Sequence, residues 1–253
     1  MRADLPDRVI VTGGASGIGE AVVSAFAENG ATVGIINRSA DSIERALKGE
    51  LADHVDRIHW GAADVADEAA VRTATDELAG ELGGLDAVVA SAGIEGEMGA
   101  QVTEVTSAAF RRVLEVNVLG VFHLVKAAVP HLAAARNPSV TIVGSDSGFV
   151  AVPGMLAYNA SKGALVQVTR ALSVELFARH QIRVNSVCPS IVDTPMSRRG
   201  MEVESFDGVD YPVHSAADVA WSVLYLSSAN SRAINGVNLL SDFGYTARSS
   251  FPA

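Results

Sequence analysis

Tyr158 and Lys162, four residues apart in Tyr158-Asn159-Ala160-Ser161-Lys162, form a pair that can run acid/base chemistry. On a helix they share one face, so the Lys162 ammonium is expected beside the Tyr158 phenol, favouring its ionised form. An unperturbed phenol titrates near ~10, too high to exchange protons readily at neutrality, and a neighbouring cation makes it a usable acid or base. Helices often carry such pairs on solvated faces. The spacing gains meaning from a glycine turn far upstream, Thr12-Gly13-Gly14-Ala15-Ser16-Gly17-Ile18-Gly19. Gly13, Gly17 and Gly19 permit a tight turn and a close approach of backbone to a pyrophosphate, which then rests on a helix N-terminus. The Gly-x-x-x-Gly-x-Gly spacing alone is weak, often merely a flexible turn.

The elements that must position these residues alternate. Val9-Ile10-Val11 reads as a strand ending in the glycine turn, and Glu20 to Asn29 as the helix after it, stopped by Gly30. Thr32 to Ile36 is the second strand, Ala40 to Lys48 a helix, and Arg57 to Ala62 the third strand. Glu68 to Leu82 is an amphipathic helix closed by Gly83-Gly84, followed by a strand at Asp86 to Ala90. Ser107 to Leu132 reads as one long helix, Val140 to Val143 as strand five, Tyr158 to Arg179 as a helix, and Ile182 to Val187 as strand six. A last helix, Ala217 to Ser227, precedes a strand at Gly236 to Leu240. Several strands are continuously apolar, as when helices cover both faces of a parallel sheet. The expectation is one doubly wound α/β domain, a single parallel sheet with helices on both faces, over 1–253.

Composition narrows the function. A net charge of −10 with no basic run argues against nucleic acid and anionic membrane surfaces. No run approaches the roughly 18 apolar residues of a membrane span, and Met1 to Asp7 reaches the first strand too soon for a secretory signal. Cys188 is the sole cysteine, so no internal disulfide is possible and a reducing, cytoplasmic setting is expected; in its apolar strand it reads as a small buried hydrophobe. No His/Cys/Glu cluster has metal-ligand spacing: His54 and His59 flank a surface strand, and His123 and His131 face a helix.

Together these features resemble the short-chain dehydrogenase/reductase family. The resemblance runs from about Val9 to about Thr246 and is carried by Thr12-Gly13-x-x-x-Gly17-x-Gly19, Asp64-Val65, Ala92-Gly93, Asn117-Val118-x-Gly120, Ser145, Tyr158-x-x-x-Lys162 and Arg183-Val184-Asn185. Ser145 stands thirteen residues before Tyr158, as in that family. The resemblance implies a Rossmann fold and hydride transfer between a nicotinamide cofactor and a ketone or secondary alcohol. Tyr158 would be the acid/base, Ser145 would hydrogen-bond the substrate oxygen, and Lys162 would bind the ribose and lower the phenol pKa. Asn117 would kink its helix and hold a proton-relaying water. Gly13, Ser16, Gly17, Ile18 and Gly19 would cradle the cofactor phosphates. Asp64 with Val65 would meet the adenine, Ser91, Ala92 and Gly93 would line the floor, and Pro189, Val192 and Thr194 would face the carboxamide side. A homotetramer or homodimer is implied as well.

The chain departs from that family in four places. Ala90-Ser91-Ala92-Gly93 replaces Asn-Asn-Ala-Gly, Pro189-Ser190 replaces Pro-Gly, Asp242-Phe243-Gly244 replaces Asp-Gly-Gly, and the lid segment Pro195 to Val213 is short and polar. None removes a catalytic group. At the end of strand two, where an acid would hydrogen-bond an NAD ribose and repel a 2′-phosphate, the chain has neutral Asn37 followed by Arg38. Arg38 can pair with a 2′-phosphate or be a solvated surface arginine. NADP(H) is therefore favoured and NAD(H) remains open. Phe149, Val150, Val152, Met155, Leu156, Ile191, Met196, Met201 and Phe206 are candidates to line an apolar pocket, or to be core and dimer contacts, which favours a compact hydrophobic ketone or alcohol. Arg136 and Arg179 match positions that hold acyl carrier protein in related 3-oxoacyl reductases, the alternative substrate. A catalytically silent dinucleotide-binding protein is the rival of another class; loss of Tyr158 or Lys162 would mark it, and both are present.

Overall fold

The computed structural model describes residues 4–248, so the ends of the expected 1–253 unit lie outside the described residues. Its centre is a seven-stranded sheet: β1 (Arg8–Thr12), β2 (Thr32–Asn37), β3 (Ile58–Ala62), β4 (Ala87–Ala90), β5 (Ser139–Val143), β6 (Arg183–Pro189) and β7 (Asn238–Ser241). Every pairing is parallel, and the spatial order is β3-β2-β1-β4-β5-β6-β7. The order reverses between β1 and β4, which opens a crevice at the carboxyl ends of those strands, where ligands bind in such sheets.

Alternation along the strands feeds two cores. Val9, Val11, Val33 and Ile35 point to the face covered by α1 (Gly17–Glu28), α2 (Ala40–Lys48) and α8 (Ala216–Ser227). Ile10, Ile36, Val88 and Ile142 point to the other, under α3 (Glu68–Glu81), α5 (Gly120–Leu132) and α6 (Leu156–His180). With both faces covered, the strands read as unbroken apolar runs. Helix starts are written locally: Ser39, Asp67 and Thr106 accept the backbone N–H groups of Ser42, Ala70 and Ala109, the last at the start of α4 (Ser107–Leu114). A capping box of Ser215 and Asp218 opens α8.

Two expectations are corrected. The long helix at Ser107 to Leu132 is interrupted, because Glu115–Leu119 forms a π segment between α4 and α5. That combined helix is long and apolar enough to cross a membrane by length and composition, contrary to the reading of the runs, but half of its apolar window is buried in the protein and it serves as a core helix. Within the short, polar lid segment Pro195–Gly200 forms a short helix, α7, started by a Thr194–Ser197 capping box with Pro195 in its first turn. The Thr-Pro start signal was legible in the sequence. Elsewhere the differences are end effects. The helix α6 begins at Leu156, β6 runs on to Pro189 and β7 starts at Asn238.

Candidate active site

The glycine turn fits its expected shape. Gly13 takes φ +72, where a Cβ would stand 2.8 Å from the Ala92 Cα, and its N–H donates to the Ile36 carbonyl at 2.8 Å. A Cβ on Gly19 would collide with the Gly13 carbonyl oxygen. At Gly13 and Gly19 the turn therefore cannot carry a side chain, and it brings bare backbone to the crevice there. Ser16 is exposed and extended and makes no capping hydrogen bond, so the first N–H groups of α1 have no side-chain cap. Gly17 and the adjacent Ile18 are only partly buried, and Gly17 faces the Thr194 side chain. Such a helix start suits an anion. The turn, the open helix start and the crevice match what a dinucleotide phosphate group requires.

At the end of β2, Asn37 reaches only the Ser39 carbonyl, at 3.5 Å. Arg38 is exposed, and its guanidinium donates no hydrogen bond among the described residues. Asp64 is already engaged: its carboxylate accepts from Arg112 at 2.6 Å and from the Ala66 N–H at 3.0 Å. Burial acts to raise the Asp64 pKa, yet the Ala66 N–H, the Arg112 pair and the Arg38 charge hold it below its ordinary value. The carboxylate expected to meet an adenine is thus partly committed to an ion pair the sequence did not reveal. Val65 is buried beside Gly120, and its carbonyl accepts from the ring of buried His123 at 2.9 Å.

Ser91 in place of asparagine costs little order. The Ser91 and Ala92 N–H groups both donate to the buried Thr12 hydroxyl, at 3.2 and 3.4 Å. Gly93 packs against Asn117. Asn117, 1% exposed in the π segment, clamps the next residue at both ends: its Oδ1 accepts from the Ile94 N–H at 2.8 Å and its Nδ2 donates to the Ile94 carbonyl at 2.9 Å. Nδ2 also reaches Ser161 Oγ at 3.0 Å, and that hydroxyl donates to the Tyr158 carbonyl at 2.7 Å. A side-chain chain thus links the loop after β4 to the helix that carries Tyr158. Ser161 was visible inside the Tyr-x-x-x-Lys segment but carried no signal of this role.

Ser145, Tyr158 and Lys162 meet at the carboxyl end of β5. Lys162 is buried, donates to the Val143 carbonyl at 3.0 Å and lies 5.4 Å from the centre of the Tyr158 ring. The expected electrostatics are reversed here. Burial pushes the phenol pKa up to about 12; contact with the Ser145 hydroxyl lowers it in part, and the carboxylates of Asp146 and Glu95 raise it further. The residue as a whole is half-buried, so it is the hydroxyl end that sits deep. Burial likewise lowers Lys162 to about 8, with only Cys188 opposing. Desolvation outweighs the pairing that the four-residue spacing predicts.

The Ser145 hydroxyl donates to Asp146 at 3.1 Å and accepts from the Ser147 N–H at 3.1 Å. Cys188 is buried beneath it, and burial raises its thiol pKa. Pro189 ends β6 and Val192 is buried in a bridge to His214. The Thr194 hydroxyl is occupied by the capping box, so a carboxamide contact competes with Ser197. Phe243 finds its packing partner in His214, stacked at 4.2 Å. Of the apolar candidates, Phe149, Val152, Leu156 and Met201 are exposed while Phe206 is buried; Met98, which sequence reasoning missed, lies against Gly200 of the lid helix. Arg179 lies on the same helix as Tyr158, 21 residues on and so roughly 32 Å away at the α-helical rise. Arg136 lines a separate cavity near Asp4 to Arg8, so neither arginine touches a substrate held at Tyr158 of the same chain. Among the described residues no group of three or more metal-ligating side chains is gathered.

A family model described as enoyl-(acyl carrier protein) reductase matches residues 13–246. The 2-(R)-hydroxypropyl-CoM dehydrogenase of Xanthobacter autotrophicus is 34% identical over 94% of this chain and 98% of its own. The cis-4-hydroxycyclohexanecarboxylate dehydrogenase of Sinomonas cyclohexanicum is 37% identical over 94% of this chain and 96% of its own. Among solved structures, ElxO with NADP bound superposes with a TM-score of 0.87 at 26% identity, covering 96% of this chain and 100% of that one. A 3-ketoacyl-(acyl-carrier-protein) reductase from Brucella melitensis complexed with NADH gives 0.86 at 30% identity, covering 95% and 98%. The chain belongs to the short-chain dehydrogenase/reductase family and is a nicotinamide-dependent oxidoreductase acting between ketones and secondary alcohols.

Proposed function

We propose that the protein interconverts a compact, largely apolar ketone and its secondary alcohol, with NADP(H) preferred and Tyr158 as the acid/base. The observation that carries this is the meeting of the Ser145 hydroxyl, the Tyr158 phenol and the Lys162 ammonium beside the bare glycine turn. In reduction, Tyr158 gives its proton to the carbonyl oxygen while Ser145 holds that oxygen in place. Lys162 then supports the developing phenolate, a charge that burial alone would oppose. Asn117 fixes the loop at Ile94 and the helix at Ser161, and so fixes where Tyr158 stands. The cofactor, when bound, supplies or accepts the hydride. Gly13, Ser16, Gly17, Ile18 and Gly19 would hold its phosphates, Asp64, Val65, Ser91, Ala92 and Gly93 its adenosine side, and Lys162, Pro189, Val192 and Thr194 its nicotinamide side.

Preference for NADP(H) is supported by Arg38, exposed without a hydrogen-bond partner among the described residues, next to Asn37, which brings no negative charge. The whole chain, 1–253, acts in this reading as one catalytic unit in the cytoplasm, with 195–213 as its lid. Self-association as a homodimer or homotetramer is supported by apolar side chains left on the helices: Leu119, Phe122, Val174 and Phe177, and Trp221 and Tyr225 on α8. Light scattering that returns only the 26.2 kDa monomer at micromolar concentration would refute it. The reading as a whole is tested by mixing the protein with NADPH or NADH and a panel of ketones and following absorbance at 340 nm. Oxidation of NADPH by apolar ketones supports it, and no turnover with either cofactor overturns it.

A further inference from the structure

Two carboxylates from different elements act on the Tyr158 phenol. Asp146 follows Ser145 directly and accepts its hydroxyl at 3.1 Å. Glu95 comes from a different loop, after β4, and its side chain is only 20% exposed. Both carboxylates act on the Tyr158 phenol and raise its pKa, whereas the Lys162 ammonium sits beneath the ring and donates to the Val143 carbonyl. The lid brings two arginines, and each is already spoken for. Arg198 is held by Asp193 through two contacts of 2.6 and 2.9 Å, and Arg199 pairs with Glu95 at 3.3 Å. Between Pro195 and Val213 these two cations stand against Glu202, Glu204, Asp207 and Asp210.

We propose that Glu95 and Asp146 are specificity-determining residues that make this site select neutral or cationic ketones and alcohols and reject anionic ones. The inference rests on the reading of Ser145 and Tyr158 as the groups that hold the substrate oxygen. A substrate oxygen placed between those two hydroxyls lies beside Asp146, 3.1 Å from the Ser145 hydroxyl, and within the field of Glu95, which acts on the same phenol. An anionic substituent there meets like charge in a partly desolvated cleft, where such encounters are strongly unfavourable. The lid cation that could compensate, Arg199, must first be taken from Glu95. An ammonium at the same place is attracted by Asp146 and shares Glu95 with Arg199. This sets the chain apart from its relative named for cis-4-hydroxycyclohexanecarboxylate, a substrate that is itself an anion.

The test uses one ring framework in three charge states, 4-oxocyclohexanecarboxylate, its methyl ester and 4-(dimethylamino)cyclohexanone, with NADPH at pH 7. In the wild type, kcat/KM for the ester and the amine should exceed that for the carboxylate by roughly ten-fold or more, and added salt should narrow the gap. Glu95→Gln frees Arg199, so the carboxylate-to-ester ratio should rise by about ten-fold; Asp146→Asn should raise it independently, and Arg199→Gln should lower it. Melting curves and NADPH binding on each variant identify any that misfolds, and the remaining variants still decide the ratio. A wild type that prefers the carboxylate, or a ratio that neither Glu95→Gln nor Asp146→Asn moves, overturns the charge selection while leaving the ketone reductase reading intact. If none of the three, nor any ketone in the wider panel, is turned over, it is that reading which has failed, and the inference falls with it.

Discussion

Replacing Lys162 by methionine should stabilise the ligand-free protein while destroying its activity. Burial lowers the Lys162 pKa from 10.5 to about 8, which corresponds to about 3 kcal/mol against the folded state at neutral pH, where the unfolded chain carries the same charge in water. Methionine fills similar space with an apolar chain and removes that cost. It also leaves the Val143 carbonyl without its donor at 3.0 Å, a loss of about 1 kcal/mol. The net gain is about 2 kcal/mol, or a rise of about 4–8 °C in Tm for a chain of this size. The pH dependence carries the sign. Below pH 8 the lysine is charged in both states and the variant keeps its full advantage. Between pH 8 and 10.5 the native lysine loses its proton before the unfolded one does, so the wild type gains stability as pH rises and the advantage fades. Calorimetry on both proteins at pH 7, 8.5 and 10 isolates this group in their difference, because the titration of Cys188 and Tyr158, which also affects stability in that range, is common to both. NADPH titration and a 340 nm assay should show affinity and turnover falling together. A Lys162→Met variant that melts below the wild type at pH 7, or a difference that does not shrink toward pH 10, refutes the reasoning.

Tyr158→Phe should lower kcat by about 10²–10⁴-fold on any confirmed ketone with NADPH binding preserved, measured by steady-state rates and fluorescence titration. Near wild-type turnover would remove Tyr158 from the mechanism. Arg38→Ala should weaken NADPH by roughly one to two orders of magnitude and leave NADH nearly untouched, with Asn37→Asp acting in the same direction; equal affinities before and after would make Arg38 a solvated charge. Arg183→Leu addresses stability alone. This buried guanidinium donates to the Leu226, Ser228 and Ser231 carbonyls and to Ser231 Oγ, tying β6 to the end of α8. Orphaning those acceptors should cost about 3 kcal/mol in urea unfolding, and a cost below about 1 kcal/mol would show that water replaces the donor.

The fold was legible because its signals are local and repeated. Apolar runs such as Val140 to Val143 report a sheet covered on both faces, and Asp67, Thr106 and Ser215 each announce a helix start one residue ahead. The glycine turn was legible for a related reason: its geometry excludes side chains, so the requirement is written in residue type. The interruption at Glu115–Leu119 was hidden, since Val116, Val118 and Leu119 keep an apolar character that a continuous helix would also show. Long-range partners were hidden too. Nothing near Asp64 in sequence names Arg112, 48 positions on, and nothing near Arg199 names Glu95.

The electrostatics of the Tyr158–Lys162 pair were the furthest from view, because spacing reports proximity and not solvation. Four residues on a helix correctly place the ammonium under the ring, at 5.4 Å. Whether that ammonium lowers the phenol pKa depends on what else both groups lose on burial, and the answer is set by β5, β6 and the loop at Glu95, none of them adjacent in sequence. Desolvation of both groups wins, leaving a phenol near 12 and an ammonium near 8. A neutral phenol above a lysine that is still protonated at pH 7 is a poor base, and it gives up its proton less readily than a free phenol does. The site as it stands therefore holds the proton that a carbonyl oxygen needs and resists the phenolate that giving it leaves behind. Reduction leaves that phenolate and alcohol oxidation starts from it, so both directions need Lys162 to support it, and of the groups around the phenol the two carboxylates, Asp146 and Glu95, oppose it.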